Sequence, residues 1–194
     1  MLKQKILIVD DQEVNITLLK HLLADQNIEL ILAHSGHEAL EILEKTYDFD
    51  LILMDVRMPV LSGFDTVSIL KENPLLREIP VIFITAEFIK TEFVNKGYAL
   101  GAYDYISKPF DKEVLKNKVN VFLSLQRQKK LNSDQAEALT RSNRSMKILN
   151  ECNTILLYSE NESTILNSFC NILVELGNYP FVWIGKIINM KSNI

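Results

Sequence analysis

Short apolar runs alternate with amphipathic segments along the first part of the chain. The runs lie at 5–9, 29–33, 51–55 and 81–85, with a shorter candidate at 103–106. The first four consist almost entirely of aliphatic and aromatic residues, which is typical of buried parallel strands. The intervening segments carry apolar residues at helical intervals and are bounded by glycine, proline or capping residues. Five strands alternating with helices predict a parallel sheet covered on both faces.

The pattern changes beyond about Leu125. Residues 126–153 contain no proline or glycine and are mostly polar or charged, which predicts a long helix. Two heptad positions hold apolar residues, namely Leu125, Leu139 and Met146 at one, and Val121, Leu149 and Leu156 at the other. The same positions also hold polar residues, namely Asn132, Asn153, Gln128, Gln135 and Ser142. The pattern therefore fits a weak coiled-coil seam and a solvated connecting helix equally well. A second helix is predicted at 162–176 and a strand at 180–188.

The composition is that of a globular protein. Of 194 residues, 47% are hydrophobic and 24% charged, and the net charge of −4 favours neither nucleic acid nor an anionic membrane. No stretch approaches the roughly 20 apolar residues that a membrane-spanning helix requires. Cys152 and Cys170 lie in helix-like segments without metal-binding spacing, so we expect reduced thiols and a cytoplasmic protein.

Acidic residues end two of the predicted strands. Asp10 and Asp11 follow the first strand, and Asp55 ends the third. The carboxyl ends of parallel strands share one sheet edge, where ligands bind in such folds, so these carboxylates should lie close together. Mg²⁺ prefers oxygen ligands of this kind, and a metal-bound carboxylate can attack a phosphoryl group. Thr85 and Lys108 are predicted at the same edge, which indicates phosphoryl chemistry on Asp55.

With Asp10-Asp11, Asp55, Thr85 and Lys108-Pro109 in this order, the first 125 residues resemble the receiver domain of two-component response regulators. The resemblance implies an α/β fold, a doubly wound five-stranded parallel sheet of flavodoxin-like (CheY-like) order 2-1-3-4-5. It also implies that Asp55 accepts a phosphoryl group from a sensor histidine kinase or phosphotransfer protein. The partner and the Mg²⁺ cofactor are therefore expectations drawn from this resemblance.

The resemblance assigns the metal ligands. Asp11 matches a direct Mg²⁺ ligand and Asp55 another, while Asp10 matches an acid that acts mainly through metal-bound water. The backbone carbonyl of Arg57 matches the remaining protein ligand. Arg57 and Glu87 also occupy the two positions that tune dephosphorylation in this family, and we expect them to hinder water at the pocket mouth.

The resemblance also assigns the signalling residues. Thr85 matches the hydroxyl that bonds a phosphoryl oxygen, and Lys108 matches the lysine that pairs with the phosphoryl group. Tyr105 matches an aromatic switch residue, which would rotate inward when Thr85 moves toward the phosphate. Lys108-Pro109 is a candidate cis peptide bond.

Three segments are expected along the chain: a receiver domain at 1–125, a helical linker at 126–157, and an incomplete α+β segment at 158–194. Residues 139–188 resemble the opening helices and first strand of a GAF sensor domain, and they cover only the beginning of such a domain. A homodimer would form through the face of the fourth strand, its helix and the fifth strand, or through the C-terminal helix. The output reaction and the cognate kinase are not identified by the sequence.

Two other functions stay open. One is a constitutive dimerisation or scaffold module whose pocket is unused. The other is a phosphatase of the haloacid dehalogenase type, which also uses a strand-end aspartate and Mg²⁺. That chemistry requires a second aspartate two residues later, where this chain has Arg57. No site for a separate substrate is visible, so the only reactions expected are phosphorylation and dephosphorylation of Asp55.

Overall fold

The computed structural model describes residues 3–24, 27–86, 103–159 and 161–184. The strands within these ranges are β1 (Gln4–Val9), β2 (Ile28–Ala33), β3 (Leu51–Asp55), β4 (Val81–Thr85) and β5 (Asp104–Ser107). The helices are α1 (Glu13–Leu23), α2 (Gly36–Lys45), α3 (Gly63–Glu72), α4 (Lys112–Tyr158) and α5 (Glu162–Glu175). The helix predicted between β4 and β5 lies outside the described residues.

The strands form one parallel sheet in the order β2-β1-β3-β4-β5. This order confirms the predicted doubly wound fold. The register pairs Val9 with Met54, so the residues after them, Asp10 and Asp55, come side by side at the carboxyl edge. The strand order thus brings the acids of β1 and β3 to the centre of that edge, where ligands bind in such sheets.

Alternate residues of each strand enter two separate apolar layers, because successive side chains of a strand point to opposite faces. On one face, Leu7, Ile52 and Phe83 pack with residues of α2 and α3. On the other face, Ile8 and Leu53 pack with residues of α1 and the first turns of α4. The central strands are therefore buried on both sides, which accounts for their nearly continuous apolar sequence.

The chain divides into two compact units between Gln128 and Lys129. The first unit contains the sheet, α1 to α3 and the beginning of α4. The second unit contains the rest of α4 together with α5, and none of its described side chains is fully buried. Among the described helices, none combines the length and the apolar character needed to cross a membrane.

Most element predictions agree with the structure, and one does not. The predicted linker helix is present as part of α4, a single helix of 47 residues, and the predicted helix at 162–176 is present as α5. The strand predicted at 180–188 is wrong over its described part, because residues 180–184 form no strand. A lone extended segment without a hydrogen-bonded neighbour is not stable as a strand.

Candidate functional site

Asp10 is fully buried at the end of β1, with an exposed fraction of 0%. Its Oδ1 accepts hydrogen bonds from the backbone N–H of Gln12 at 2.9 Å and from Asn15 Nδ2 at 2.8 Å. Its Oδ2 accepts a hydrogen bond from Lys108 Nζ at 2.8 Å. Both carboxylate oxygens therefore have donors, and the two bonds to Oδ1 fix the start of α1 against β1.

Asp55 ends β3 and is also buried, with an exposed fraction of 5%. Its Oδ2 accepts a hydrogen bond from the backbone N–H of Arg57 at 2.8 Å, and its Oδ1 accepts one from Lys108 Nζ at 2.6 Å. These two donors orient the carboxylate and favour its ionised form.

Lys108 joins the two acids from the loop after β5. The backbone N–H of Lys108 donates to the carbonyl of Thr85 at 2.7 Å, which ties this loop to the end of β4. The Lys108–Pro109 peptide bond is cis, the conformation expected from the sequence. The structure therefore brings together, at one edge, residues that are far apart in the chain.

Two buried carboxylates share one ammonium group, and the pKa values of Asp55 and Lys108 reflect this. Burial raises the pKa of Asp55, the bond to Lys108 lowers it, and the neighbouring charge of Asp10 raises it further, with a net upward shift. Burial lowers the pKa of Lys108, but its bonds to Asp10 and Asp55 outweigh burial and raise it. The lysine stays charged, while the acids retain uncompensated negative charge.

Asp11 differs from its neighbours because one of its oxygens has no donor. Its Oδ1 is buried and accepts no hydrogen bond, and it is the only such buried side-chain atom in the described part of the chain. A buried carboxylate oxygen without a partner costs free energy. A cation bound at this edge would remove that cost.

The acids do not form a closed metal site by themselves. Within the described ranges, no three His, Cys, Asp or Glu side chains are grouped closely enough to hold a metal ion. Lys108 pairs with both Asp10 and Asp55. The chemistry of the donors, all hard oxygens with one unpartnered on Asp11, nevertheless suits a divalent cation such as Mg²⁺.

Thr85 and Tyr105 lie on the two strands beyond β3. Thr85 is half-buried at the end of β4, and the β4–β5 register pairs it with Ser107 and pairs Phe83 with Tyr105. The ring of Tyr105 has an exposed fraction of 7%, and its centroid is 5.6 Å from that of Phe83. The sequence suggested that Tyr105 rotates inward on phosphorylation, but in this structure the ring is already inside.

A comparison with known protein families identifies the domain that contains these residues. Residues 6–120 match the sequence model of the response regulator receiver domain. The chain belongs to the receiver domain family. Its carboxyl-edge acids, lysine and threonine thus lie within a receiver domain.

Similar proteins and solved structures support this assignment of the receiver domain. The probable transcriptional regulator ycf29 of Pyropia yezoensis is 39% identical over 116 residues, which are 60% of this chain and 51% of that protein. The present chain thus spans about half the length of this relative. The chemotaxis protein CheY4 of Vibrio cholerae is 32% identical with a TM-score of 0.59, and the match covers 62% of this chain and 99% of that structure.

A third similar receiver domain comes from a sensor histidine kinase of Pseudomonas aeruginosa. It is 28% identical with a TM-score of 0.57, over 63% of this chain and 99% of that one. That structure is described with a magnesium ion coordinated in the active site cleft.

The loop after β3 adds residues that sequence reasoning missed in this receiver domain. Val60 has a positive φ of 67° and a side chain that is 95% exposed. The backbone N–H of Leu61 donates to the carbonyl of Pro59 at 2.7 Å, so Val60 is the centre of a γ-turn of the rare, strained type. No sequence signal pointed to it, because valine normally avoids this region.

Close approach of α3 to β3 depends on Gly63. A Cβ at this position would lie 2.1 Å from the backbone oxygen of Asp55, a distance that no side chain tolerates without movement. Asn15 was also missed, although an amide in the first turn of α1 just after two acids could have indicated it. Arg57 is exposed, and Glu87 lies outside the described residues.

Proposed function

We propose that this receiver domain takes a phosphoryl group onto Asp55 from the phosphohistidine of a sensor kinase or phosphotransfer protein. The observation that carries the proposal is the position of Lys108 Nζ, 2.6 Å from Asp55 and 2.8 Å from Asp10. A buried, oriented carboxylate beside a fixed cation has the properties of a nucleophile prepared for phosphoryl transfer.

In the proposed reaction, a carboxylate oxygen of Asp55 forms a bond to phosphorus while the phosphorus–nitrogen bond of the donor breaks. The donor imidazole keeps the electron pair of that bond. The N–H of Arg57 holds one oxygen of Asp55, which restricts the orientation of the carboxylate during attack. Lys108 remains protonated because its carboxylate partners raise its pKa, so it can balance charge on the phosphoryl oxygens.

We propose that Mg²⁺ binds through the carboxylates of Asp11 and Asp55 and the backbone carbonyl of Arg57, with Asp10 acting through water. The unpartnered oxygen of Asp11 and the shared lysine support this, since both indicate a deficit of positive charge. When bound, the ion would neutralise negative charge that develops on the phosphoryl group. Asp10 suits an indirect role because it already accepts three hydrogen bonds from the described residues, one more than Asp55.

We propose that Thr85 and Tyr105 read the phosphorylated state. A phosphoryl group on Asp55 would attract the hydroxyl of Thr85 at the end of the neighbouring strand. Because Tyr105 is already buried against Phe83, the phosphoryl group would stabilise this inward position, and its loss would release the ring. The proposed movement thus differs in direction from the inward swing expected from the sequence.

Arg57 and Glu87 are proposed to slow hydrolysis of the phosphorylated aspartate. The support from the structure concerns Arg57, whose backbone N–H donates to Asp55 and which is itself exposed to solvent. The lifetime of phosphorylated Asp55 should shorten in Arg57→Ala. An unchanged lifetime in that variant would remove Arg57 from the proposal.

The proposed output passes through α4. We retain the boundaries 1–125 for the receiver domain, 126–157 for the helical linker and 158–194 for a GAF-like segment. The continuous helix from Lys112 to Tyr158 supports a direct connection between the receiver domain and the C-terminal segment. We also propose a cytoplasmic location, which the free thiols of Cys152 and Cys170 suit.

Acetyl phosphate provides a direct test of phosphorylation. The full chain, incubated with acetyl phosphate and Mg²⁺, should gain the mass of one phosphoryl group, and a chelator should suppress the gain. Asp55→Asn should abolish the adduct, whereas Asp65→Asn, at an exposed position on α3, should leave it unchanged. Absence of an adduct in the native chain would support a scaffold module instead. An adduct that persists in Asp55→Asn would place the phosphoryl group on another residue and refute the proposal.

Metal binding can be measured without phosphorylation. Mg²⁺ at ten times its Kd should stabilise the native chain by about 1.4 kcal/mol, read as a higher Tm in thermal unfolding. Asp11→Asn should lose most of this increase because it removes the carboxylate charge that has an unpartnered oxygen. An equal increase in both proteins would show that Asp11 does not hold the ion.

A further inference from the structure

The middle of α4 carries a long surface that the rest of the chain leaves uncovered. Every residue from Lys129 to Lys147 is exposed. In proteins, most helical stability comes from packing of one face rather than from the intrinsic helix preference of the residues. One face of this segment is therefore expected to pack against a partner.

Charged residues define the faces of α4 in the second unit. With Asn132 at heptad position a, Lys129, the first residue of the unit, falls at position e. The charged residues from 130 to 151 all fall at positions b, c and f, namely Lys130, Asp134, Glu137, Arg141, Arg144, Lys147 and Glu151. Positions a, d, e and g carry no charge over this range. Such separation leaves one uncharged side along the helix, as expected for a contact surface.

The centre of the uncharged side consists of positions a and d. They are Asn132, Gln135, Leu139, Ser142, Met146, Leu149, Asn153 and Leu156, a series that we call the seam. Its four large apolar residues are between 55% and 63% exposed, although nothing charged surrounds them at positions e and g. From Asn132 to Leu156 the seam extends about 36 Å at the helical rise.

Contacts within the chain account for a different stripe of α4. Ile148, Cys152 and Ile155 recur at helical spacing and are half-buried. Leu149 and Leu156, one residue away from two of these positions, stay exposed. This part of α4 thus has two apolar stripes. In the described structure the half-buried stripe is partly covered, whereas the seam is exposed.

We propose that the seam binds the seam of a second copy of this chain, in a parallel two-stranded coiled coil with the helices in register. The same helix in a second copy has the matching length, heptad phase and absence of charge. In this arrangement Asn132 faces Asn132 of the second copy, and Asn153 faces Asn153. Asparagine at position a is the residue that specifies register and a two-stranded state, at a cost in stability.

The polar layers set the strength of the proposed dimer. Gln135 and Ser142 at position d are polar, as are the two asparagines at position a, so half of the seam residues are polar. Polar layers keep the association weak, so the Kd of the dimer is sensitive to conformational changes in the attached domains. The proposed dimer depends only on α4 and does not rest on phosphorylation of Asp55, so either can fail without the other.

Sedimentation of the full chain across a range of concentrations tests the dimer. The native chain should shift from monomer to dimer between about 1 and 500 µM, the range of a weak coiled coil. Leu139→Asp should raise the dimer Kd at least tenfold. Thr140→Asp places the same charge one residue away at position b and should change Kd less than threefold.

Two outcomes overturn the dimer proposal. The first is a native chain that stays monomeric throughout the range, which would leave the seam to another partner. The second is a dimer whose Kd changes by the same factor in Leu139→Asp and in Thr140→Asp, whether that factor is large or small. Because both positions are exposed, neither variant should unfold the receiver domain, and far-ultraviolet circular dichroism checks this.

Cross-linking tests orientation and register. In a background of Cys152→Ser and Cys170→Ser, the single variants Gln135→Cys and Ser142→Cys should each form disulfide dimers on mild oxidation. Thr140→Cys, on the outer face, should not. In an antiparallel pair, at most one of these two positions can lie opposite the same residue of the second copy. Failure of either seam variant to cross-link would therefore overturn the parallel arrangement.

Discussion

Lys108 is shared between two buried carboxylates, and this sharing determines how the site responds to any change of charge. A buried charge is stable only when it is paired and hydrogen-bonded. Asp10 obtains further donors from Gln12 and Asn15, whereas the described residues supply Asp55 with one further donor, the N–H of Arg57. Asp55 is therefore the acid whose ionisation is less well supported, and its raised pKa follows from burial before any other cause.

Replacing Asp55 with asparagine should raise Tm at neutral pH. Folding raises the pKa of Asp55. The stability that Asp55 contributes is therefore fully present below its pKa in the unfolded chain, and it is lost as the pH rises through its pKa in the folded protein. The ionised carboxylate thus costs stability at neutral pH, and Asp55→Asn removes that cost. The gain in Tm over the native chain, measured without divalent ions, should shrink as pH falls through the raised folded pKa of Asp55 and should be lost below about 4, near the unfolded pKa of an aspartate.

The Asp55 variant needs an exposed acid as its control. Asp48→Asn removes a carboxylate that is exposed and 3.5 Å from Lys5, an interaction worth little. Its effect on Tm should be small at every pH. A lower Tm for Asp55→Asn than for the native chain at neutral pH would show that the bond to Lys108 outweighs burial.

Val60 offers a second residue-scale prediction. A β-branched residue at φ 67° in this γ-turn is strained by roughly 1–3 kcal/mol, whereas glycine adopts positive φ without steric cost. Val60→Gly should therefore stabilise the fold against urea by about 1 kcal/mol, after the greater entropy of glycine in the unfolded chain is subtracted. Val60→Thr retains the β-branch and should give no such gain, so equal effects of the two variants would contradict the role of backbone strain.

At the scale of elements, the strands and most helices were predictable because local pattern and tertiary environment agree. β3 and β4 are buried on both faces, so their sequences are continuously apolar and their ends are marked by Asp55 and Thr85. The strand predicted after α5 failed because an apolar run alone does not supply a partner strand. Bonds such as Asn15 to Asp10 depend on how α1 meets β1, which local sequence does not specify.

Gly63 connects element packing to the site. Its missing side chain allows α3 to begin against the end of β3, since an added Cβ would lie 2.1 Å from the backbone oxygen of Asp55. Gly63→Ala should destabilise the fold by about 1–3 kcal/mol in urea unfolding, as overpacking does. Ile69→Ala, on the exposed side of α3, is the control and should cost much less.

The Gly63 variant also distinguishes packing from chemistry. If α3 moves away to accommodate the methyl group, the backbone of Asp55 moves with it, and the phosphorylation rate with acetyl phosphate should fall too. A variant that is less stable yet phosphorylated at the native rate would show that the loop absorbs the change without displacing Asp55.

At the scale of the whole molecule, the two units differ in the interactions that stabilise each of them. The first unit has two buried apolar layers, whereas the second has no fully buried side chain among its described residues. Local opening should therefore cost least in the second unit, because few buried apolar contacts oppose it. The fold of the first unit could be predicted from strand patterns, but the organisation of the second depends on contacts that its sequence alone does not define.

Limited proteolysis should reveal this difference. Trypsin should first cut α4 among Lys129, Lys130, Arg141, Arg144 and Lys147, because this exposed helix is marginally stable without a packing partner. Mass spectrometry should then find a resistant fragment that retains the receiver domain. Cleavage should slow as protein concentration rises if the seam pairs, and Leu139→Asp should abolish that protection. Initial cuts in the receiver domain, at Lys5 or Lys20 for example, would contradict this order of stability.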